Sequence, residues 1–190
     1  MGTIITISGV SGSGKTTLAD HLLSLGPQYR IIESSTTRAP RKRDRPDEFL
    51  YLSADEFKRR ERENKFLWVT PPIHGTCYGM LRESVEKALT RSGVSVMVIT
   101  IECLPVLLDY AGEHARNVIG IYIRSQGETT LRLRLSLRRD SPQDIDKRII
   151  ECRDWDARAD GINKHMSINF LNNKGTLDEF FAEAEQSCRL

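Results

Sequence analysis

The sequence of 190 residues is poor in cysteine and in long apolar runs, and its net charge is small. Its four cysteines (Cys77, Cys103, Cys152 and Cys188) are widely separated and form no C-x-x-C pair, which argues against a zinc site or a disulfide framework. No apolar stretch reaches the ~18 residues of a membrane-spanning helix. A net charge of +2 does not indicate nucleic-acid binding. These absences favour one globular domain in a reducing, cytoplasmic setting, with neither nucleic acid nor membrane as a partner.

A complete phosphate-binding loop is the most informative motif present. Residues 9–16 read Gly-Val-Ser-Gly-Ser-Gly-Lys-Thr, after a β-branched run and before leucines at helical spacing. Backbone N–H groups of such a turn converge on phosphate oxygens, and the following helix adds its partial positive charge. We expect Lys15 to reach the β- and γ-phosphates and the Thr16 hydroxyl to ligate Mg²⁺. The predicted triphosphate-binding residues are Ser11, Gly12, Ser13, Gly14, Lys15, Thr16 and Thr17.

Apolar patterning predicts alternating strands and helices. We expect strands near residues 3–8, 30–34, 49–52, 94–101, 118–123 and 166–171, and helices near 15–25, 54–65, 81–91, 105–110, 128–138, 142–158 and from 177. Ser53 with Glu56, and Thr176 with Glu179, are capping boxes. The pattern predicts an α/β fold with a mostly parallel sheet covered by helices. Ligands of such sheets bind outside the carboxyl ends of the strands, where the phosphate loop lies.

A second candidate anion site lies in the polar stretch 36–48. Arg38 and Arg41 are three residues apart in a proline-restricted turn, so both guanidinium groups can bind one phosphate. From the residues alone, a solvated loop with incidental charge fits equally well.

With the phosphate loop before it and Gly75-Thr-Cys-Tyr-Gly79 after it, the segment 34–41 resembles the guanylate kinase family. The resemblance extends over nearly the whole chain. It implies a single P-loop NTPase domain of three layers over residues 1–190. The implied core spans about 1–33 and 80–190, with a helical lid near 126–160, and a small acceptor-binding subdomain spans about 34–79.

The resemblance also implies the roles of individual residues. Arg38, Arg41 and Tyr78 would bind the phosphate of the acceptor, and Ser34 would lie near its base. Phe49 replaces a tyrosine that contacts that phosphate in the family, and Tyr51 is on the same strand face. Lys15, Arg148 and either Arg138 or Arg139 would approach the transferring phosphoryl group. The spacing between the lid arginines is shorter than usual, so the choice between Arg138 and Arg139 stays open.

Base recognition departs from the family pattern. Guanylate kinases read guanine with carboxylates, because the Watson–Crick edge of guanine presents donors. Residues 66–74 contain no acid, and Met80 replaces a serine or threonine that contacts the base. Glu102, at the end of a buried strand, either reads the base or belongs to the Mg²⁺ shell. Trp68 and Met80 either form an apolar base pocket or pack in the core.

These observations predict an enzyme that uses ATP and Mg²⁺ to phosphorylate a small phosphorylated acceptor. GMP or dGMP is the acceptor that the resemblance implies. Another nucleoside monophosphate and ribose 1,5-bisphosphate remain alternatives, since kinases of the latter share this fold and lack the guanine-reading acids. A phosphopeptide-binding module without catalysis is a further alternative, but such modules usually have a degraded phosphate loop.

Overall fold

The computed structural model of the chain describes residues 2–41, 44–73, 75–137 and 141–188. Its elements in chain order are β1 (Gly2–Gly9), α1 (Lys15–Ser24), β2 (Tyr29–Ile31), β3 (Ser34–Thr36), β4 (Phe49–Tyr51), α2 (Ala54–Arg62), β5 (Phe66–Ile73), β6 (Thr76–Leu81), α3 (Arg82–Thr90), β7 (Gly93–Val98), α4 (Cys103–Ala111), a 3₁₀ helix (Gly112–Asn117), β8 (Val118–Ile123), α5 (Glu128–Leu137), α6 (Pro142–Cys152), α7 (Trp155–Asn163), β9 (Asn169–Leu171) and α8 (Leu177–Cys188).

The central sheet is parallel and has the strand order β2-β7-β1-β8-β9. β1 is its middle strand and is buried along most of its length, as its β-branched run predicts. Ile4 packs on one face with α3 and α4, whereas Ile5 and Ile7 pack on the other face with α1 and α8. The predicted α/β architecture, a mostly parallel sheet covered by helices, is confirmed.

A second, four-stranded sheet has the order β4-β3-β6-β5. β3 pairs with β4 in parallel and with β6 antiparallel, and β5 pairs antiparallel with β6. Phe57, Phe66 and Leu81 form a small core beneath this sheet. The short strand β4 was predicted from Phe49 and Tyr51, whereas β5 and β6 were missed.

The single strand predicted at residues 30–34 is wrong. The backbone N–H of Ile32 still donates to Val96 of the central sheet (2.8 Å), but that of Ser34 donates to Glu48 at the edge of the second sheet (3.0 Å). The chain therefore leaves one sheet and enters the other within three residues. Both halves are partly buried, so their apolar pattern does not show the break.

The single helix predicted at residues 142–158 is also wrong, because it is two helices, α6 and α7. Ile145 and Ile149 of α6 pack against α5, whereas Ala159 of α7 packs in the main core. Asp154 adopts φ −100° and ψ 3° between them, outside regular helix geometry. The break lies where the chain passes from the core beside α5, which Trp155 still contacts, to the main core that contains Ala159.

The helices of the described ranges are short, and α8, with 12 residues, is far from the length that a bilayer requires. None of these helices is long and apolar enough to cross a membrane.

Candidate active site

The phosphate loop connects the carboxyl end of β1 to the first turn of α1. Its glycines take backbone conformations that other residues avoid. Gly9 has φ 142°, and a Cβ there would lie 2.5 Å from the carbonyl oxygen of Ile123. Gly14 has φ 113°, and a Cβ there would lie 2.5 Å from the side-chain nitrogen of Asn173. The loop can keep this shape only with glycine at these positions.

Lys15 is the first residue of α1, and its side chain folds back over the loop. Its Nζ donates to the carbonyl oxygens of Gly9 (2.8 Å) and Val10 (2.9 Å). The Oγ of Ser13 is buried and has no hydrogen-bond partner among the described atoms. A buried hydroxyl of this kind, beside an ammonium group and a helix N-terminus, suits an anion.

Three side chains support the loop from the other side of the sheet edge. The Nδ2 of Asn173 donates to the carbonyl of Ser13 (2.9 Å), and a nitrogen of Arg134 donates to the carbonyl of Asn173 (3.2 Å). Nη1 of Arg134 lies 3.4 Å from the carbonyl oxygens of both Gly12 and Ser13. Gln126 also donates to the carbonyl of Asn173.

Sequence reasoning missed Arg134 and Asn173. Asn173 could have been found because it follows β9 at the edge where the phosphate loop lies. Arg134 belongs to an arginine-rich stretch in which the sequence alone does not distinguish one guanidinium from another. The predicted lid residue Arg148 does reach the loop, since its Nη1 donates to the Oγ of Ser11 (3.0 Å).

The predicted anion-binding loop is organised around a carboxylate. Arg38 donates from both terminal nitrogens to Asp44, at 2.8 and 2.7 Å. The hydroxyl of Tyr51 and the backbone N–H of Arg41 donate to the same carboxylate, at 2.5 and 2.6 Å. The hydrogen bonds from Arg38 hold the pKa of the Asp44 carboxyl well below its ordinary value.

Aromatic rings fix the other side of the Arg38 guanidinium. Its central carbon lies 4.5 Å from the ring centre of Phe49 and 5.7 Å from that of Tyr51. Phe49 therefore contacts Arg38 through its ring face, in place of the hydroxyl that a tyrosine would offer. The Tyr51 hydroxyl reaches Arg38 indirectly, through Asp44. Arg41 is exposed beside this cluster.

A cavity of about 320 Å³ lies between the phosphate loop and the second sheet. Lys15 lines it from the loop, and the predicted substrate residues Ser34, Phe49, Tyr78 and Met80 line it from the second sheet. The remaining lining is mostly apolar and aromatic: Ile31, Ile32, Glu48, Trp68, Thr70, Gly79, Val98, Ile99, Thr100, Cys103 and Trp155. Met80 lines the cavity and is also buried in the main core.

Two acidic residues lie in positions that differ from the sequence-based expectation. Glu102 precedes α4, pairs with Arg158 (2.9 Å) and is not among the residues that line the cavity. Glu48 does line the cavity, and it is the acidic residue in the part of the lining that the structure describes. Sequence reasoning missed Glu48, although its position directly before Phe49 was a usable signal.

Some predicted residues cannot be placed. Arg138 and Arg139 lie outside the described residues. Thr16 and Thr17 are in the first turn of α1, where Thr16 is exposed.

The protein groups near the loop suit a hard divalent cation bound mainly through phosphates. Mg²⁺ keeps several waters and needs only one or two protein oxygens beside substrate phosphates. The Thr16 hydroxyl is such an oxygen. No group of three or more histidine, cysteine or acidic side chains forms a metal cage within the described ranges. The donor set thus fits a metal that arrives with the nucleotide.

Comparison with known proteins gives consistent matches. The family model described as guanylate kinase matches residues 1–160. The chain is 31% identical over 150 residues to guanylate kinase of Helicobacter pylori (strain ATCC 700392 / 26695), covering 77% of this chain and 70% of that protein. It is 32% identical over 154 residues to guanylate kinase of Bacteroides thetaiotaomicron, covering 80% of this chain and 72% of that protein.

Solved structures agree on the fold. The crystal structure of guanylate kinase from Anaplasma phagocytophilum aligns with a TM-score of 0.65 at 21% identity, over 99% of this chain and 85% of that one. A gluconokinase from Sinorhizobium meliloti 1021 aligns with a TM-score of 0.54 at 16% identity, over 99% of this chain and 91% of that one.

Proposed function

The chain belongs to the guanylate kinase family of ATP-dependent nucleoside monophosphate kinases, and from that premise we propose that it transfers the γ-phosphoryl group of ATP to GMP or dGMP, with Mg²⁺. One observation carries the proposal. Lys15 of the phosphate loop lines the same cavity as Ser34, Phe49 and Tyr78 of the second sheet. A donor phosphate on the loop and an acceptor in the cavity would therefore meet, which is the first requirement of phosphoryl transfer.

The donor would bind through the loop backbone and the side chains around it. Residues 11–17 would hold the ATP phosphates, and the Thr16 hydroxyl would hold Mg²⁺, which neutralises charge on the phosphate oxygens. Lys15 would move from the carbonyls of Gly9 and Val10 to the phosphates. Arg148, together with Arg138 or Arg139, would stabilise the charge of the transferring group, since catalysis of this reaction is mostly positioning and electrostatic stabilisation.

The acceptor would bind with its phosphate toward Arg38, Arg41 and Tyr78. β3 runs from Ser34 toward Arg38, and β4 runs parallel beside it, with Phe49 paired to Ser34. Ser34 and Glu48 are thus at the start of these strands, and Arg38 follows the end of β3. We assign the base to the Ser34 end and the phosphate to the Arg38 end. In this arrangement residues 34–79 supply most of the acceptor contacts and the core supplies the donor contacts.

The acceptor's identity depends on whether the cavity offers hydrogen-bond acceptors to the donors of guanine. Guanine presents an N–H and an amino group on its Watson–Crick edge, and each buried donor left without an acceptor costs about 1–3 kcal/mol. Glu48 and the hydroxyls of Ser34 and Thr100 are the acceptors that support a guanine nucleotide. The many apolar side chains around them favour the second candidate, an acceptor without guanine, such as another nucleoside monophosphate or ribose 1,5-bisphosphate.

A substrate panel tests the proposal. Purified protein with Mg-ATP would be offered GMP, dGMP, the other nucleoside monophosphates and ribose 1,5-bisphosphate, with ADP release as the readout. We expect GMP or dGMP to give the highest kcat/KM. A higher kcat/KM for an acceptor without guanine would establish the second candidate, and no turnover with any acceptor would overturn both.

A further inference from the structure

We propose that Arg45 is a positioning residue that holds the acceptor loop against α1, the helix that begins at the phosphate loop. The acceptor loop is here residues 37–41 and 44–48, which carry Arg38 and Arg41. The inference rests on the proposed function, because it assumes that this loop binds the acceptor phosphate. Arg45 itself does not line the cavity.

The side chain of Arg45 bridges from the acceptor loop to α1. Its Nε donates to the carboxylate of Asp20 (2.5 Å), and its Nη2 donates to the carbonyl oxygen of Thr16 (2.8 Å). Thr16 and Asp20 are four residues apart in the helix and so lie on one face. The guanidinium fork can therefore bind both at once, which the single ammonium of a lysine does less well.

Arg45 is also fixed within its own loop. Its backbone N–H donates to the carboxylate of Glu48 (3.1 Å), and its Nη1 lies 3.6 Å from the same carboxylate. The preceding residue, Asp44, accepts both hydrogen bonds from the Arg38 guanidinium. A continuous set of contacts thus joins α1 to Arg38 through Arg45 and Asp44.

The Arg45 guanidinium is more buried than the arginine of an ordinary surface ion pair, whereas its partner Asp20 is 59% exposed. The Arg45 side chain is 16% exposed, whereas Arg59 on the surface of α2 is 56% exposed. Its Nη1 is buried without a hydrogen-bond partner among the described atoms. Removal of its hydrogen-bond partners would leave this largely buried guanidinium less well satisfied, whereas pairs exposed on both sides contribute little.

The bridge bears on transfer because it joins the two substrate sites. Thr16 follows Lys15, which lines the cavity, and Arg38 follows β3, whose first residue Ser34 lines the cavity as well. Reacting atoms must approach to roughly 3–3.5 Å, and a misplacement of about 1 Å can cost ~100-fold in rate. By holding the acceptor loop on α1, Arg45 fixes the distance between acceptor and donor without touching either.

Kinetics of Arg45→Ala, with Arg59→Ala as the matched control, test the role. We expect kcat/KM for the acceptor to fall by about 10- to 100-fold in Arg45→Ala, while affinity for a non-hydrolysable ATP analogue stays within about 2-fold, because the phosphate loop is intact. Arg45→Lys should recover part of the lost kcat/KM. Asp20→Asn should lose less than Arg45→Ala does, since Arg45 can still donate to the Thr16 carbonyl. The proposal would be overturned if Arg45→Ala kept the wild-type kcat/KM for the acceptor. It would also be overturned if the affinity for the ATP analogue fell by the same factor as kcat/KM.

Hydrogen exchange tests the bridge without an acceptor. In Arg45→Ala we expect the amide hydrogens of residues 37–39 and 41 to exchange about tenfold faster than in the wild type. In Arg59→Ala we expect them to exchange as in the wild type. Unchanged exchange in Arg45→Ala would overturn the bridge. A wild-type enzyme that does not phosphorylate GMP would overturn only the proposed function, because this measurement does not depend on the acceptor.

Discussion

The donor side (residues 9–17 with Arg134, Arg148 and Asn173) and the acceptor side (the acceptor loop and the cavity lining from the second sheet) are built differently. The donor side is one contiguous turn whose shape depends on glycines and whose proposed contacts are mainly backbone N–H groups. The acceptor side is assembled from side chains of the acceptor loop and of separate strands of the second sheet. A site that binds through backbone N–H groups requires a short contiguous motif. A site that binds through side chains can be altered by single substitutions.

Charge is also distributed differently on the two sides. The hydrogen bonds described for Lys15 and Arg134 go to backbone carbonyls. Arg38 and Arg45 instead form close ion pairs with Asp44 and Asp20. Carboxylates thus fix the acceptor-side arginines before any substrate binds. The acceptor side should accordingly respond to mutation through KM and specificity, and the donor side through the rate of transfer.

Lys15→Ala should have the largest effect. Removal of the ammonium group takes away the cation that we propose stabilises the transition state, so we expect turnover to fall by at least ~10³-fold. ADP release at saturating ATP and acceptor measures it. Lys58→Ala, on the exposed face of α2, is the control and should retain wild-type turnover. More than a tenth of wild-type turnover in Lys15→Ala would contradict the assignment of the donor side.

Arg38→Ala should raise the acceptor KM by about 10- to 100-fold, because the proposed charged contact with the acceptor phosphate is lost. The KM for ATP should stay near its wild-type value, and Arg59→Ala should change neither constant. Initial rates over a matrix of ATP and acceptor concentrations separate the two constants. If the acceptor KM does not change, the acceptor phosphate is bound elsewhere.

Glu48→Gln tests base recognition. This is the function of the acceptor side for which the sequence lacks the residues expected from the family. If Glu48 accepts from guanine, kcat/KM for GMP should fall by about tenfold, and kcat/KM for IMP, which lacks the amino group, should fall less. Asp47→Asn is a matched control, since it removes the same charge from the neighbouring exposed position. Equal losses for GMP and IMP would mean that Glu48 does not read the amino group.

Much of the fold follows from local patterns. Ser53 accepts from the backbone N–H of Glu56 at the start of α2, and Thr176 and Glu179 form the reciprocal contacts before α8, as the capping boxes predict. The β-branched run of β1 and the phosphate loop are likewise local signals. Two of the errors, at 30–34 and 142–158, arise where one stretch was assigned to a single element: Ile32 and Ser34 bond to different sheets, and Asp154 interrupts the helix geometry between α6 and α7.

The site is less predictable because its partners are distant in sequence. Arg45 meets Asp20 across 25 residues, and Asn173 meets Ser13 across 160. Nothing in the local sequence marks which of many arginines faces which carboxylate. The phosphate loop could be predicted since its chemistry lies within eight adjacent residues, whereas the arrangement of the acceptor loop needs the tertiary structure.

The smallest expected effect concerns the packing behind the phosphate loop, where Cys188 of α8 joins the core that includes α1. Burial raises the pKa of the Cys188 thiol from its ordinary 9.0 to about 11. Between these values the unfolded chain loses the thiol proton while the folded chain keeps it, so the contribution to stability is complete below pH 9 and is lost as pH rises to 11. We expect the unfolding midpoint to fall by a few °C over this range, and to fall less in Cys188→Ala. In Cys77→Ala, which changes a residue outside that core, the unfolding midpoint should depend on pH as it does in the wild type. If the midpoint depends on pH identically in the wild type, Cys188→Ala and Cys77→Ala, the pKa of the Cys188 thiol is not raised by folding.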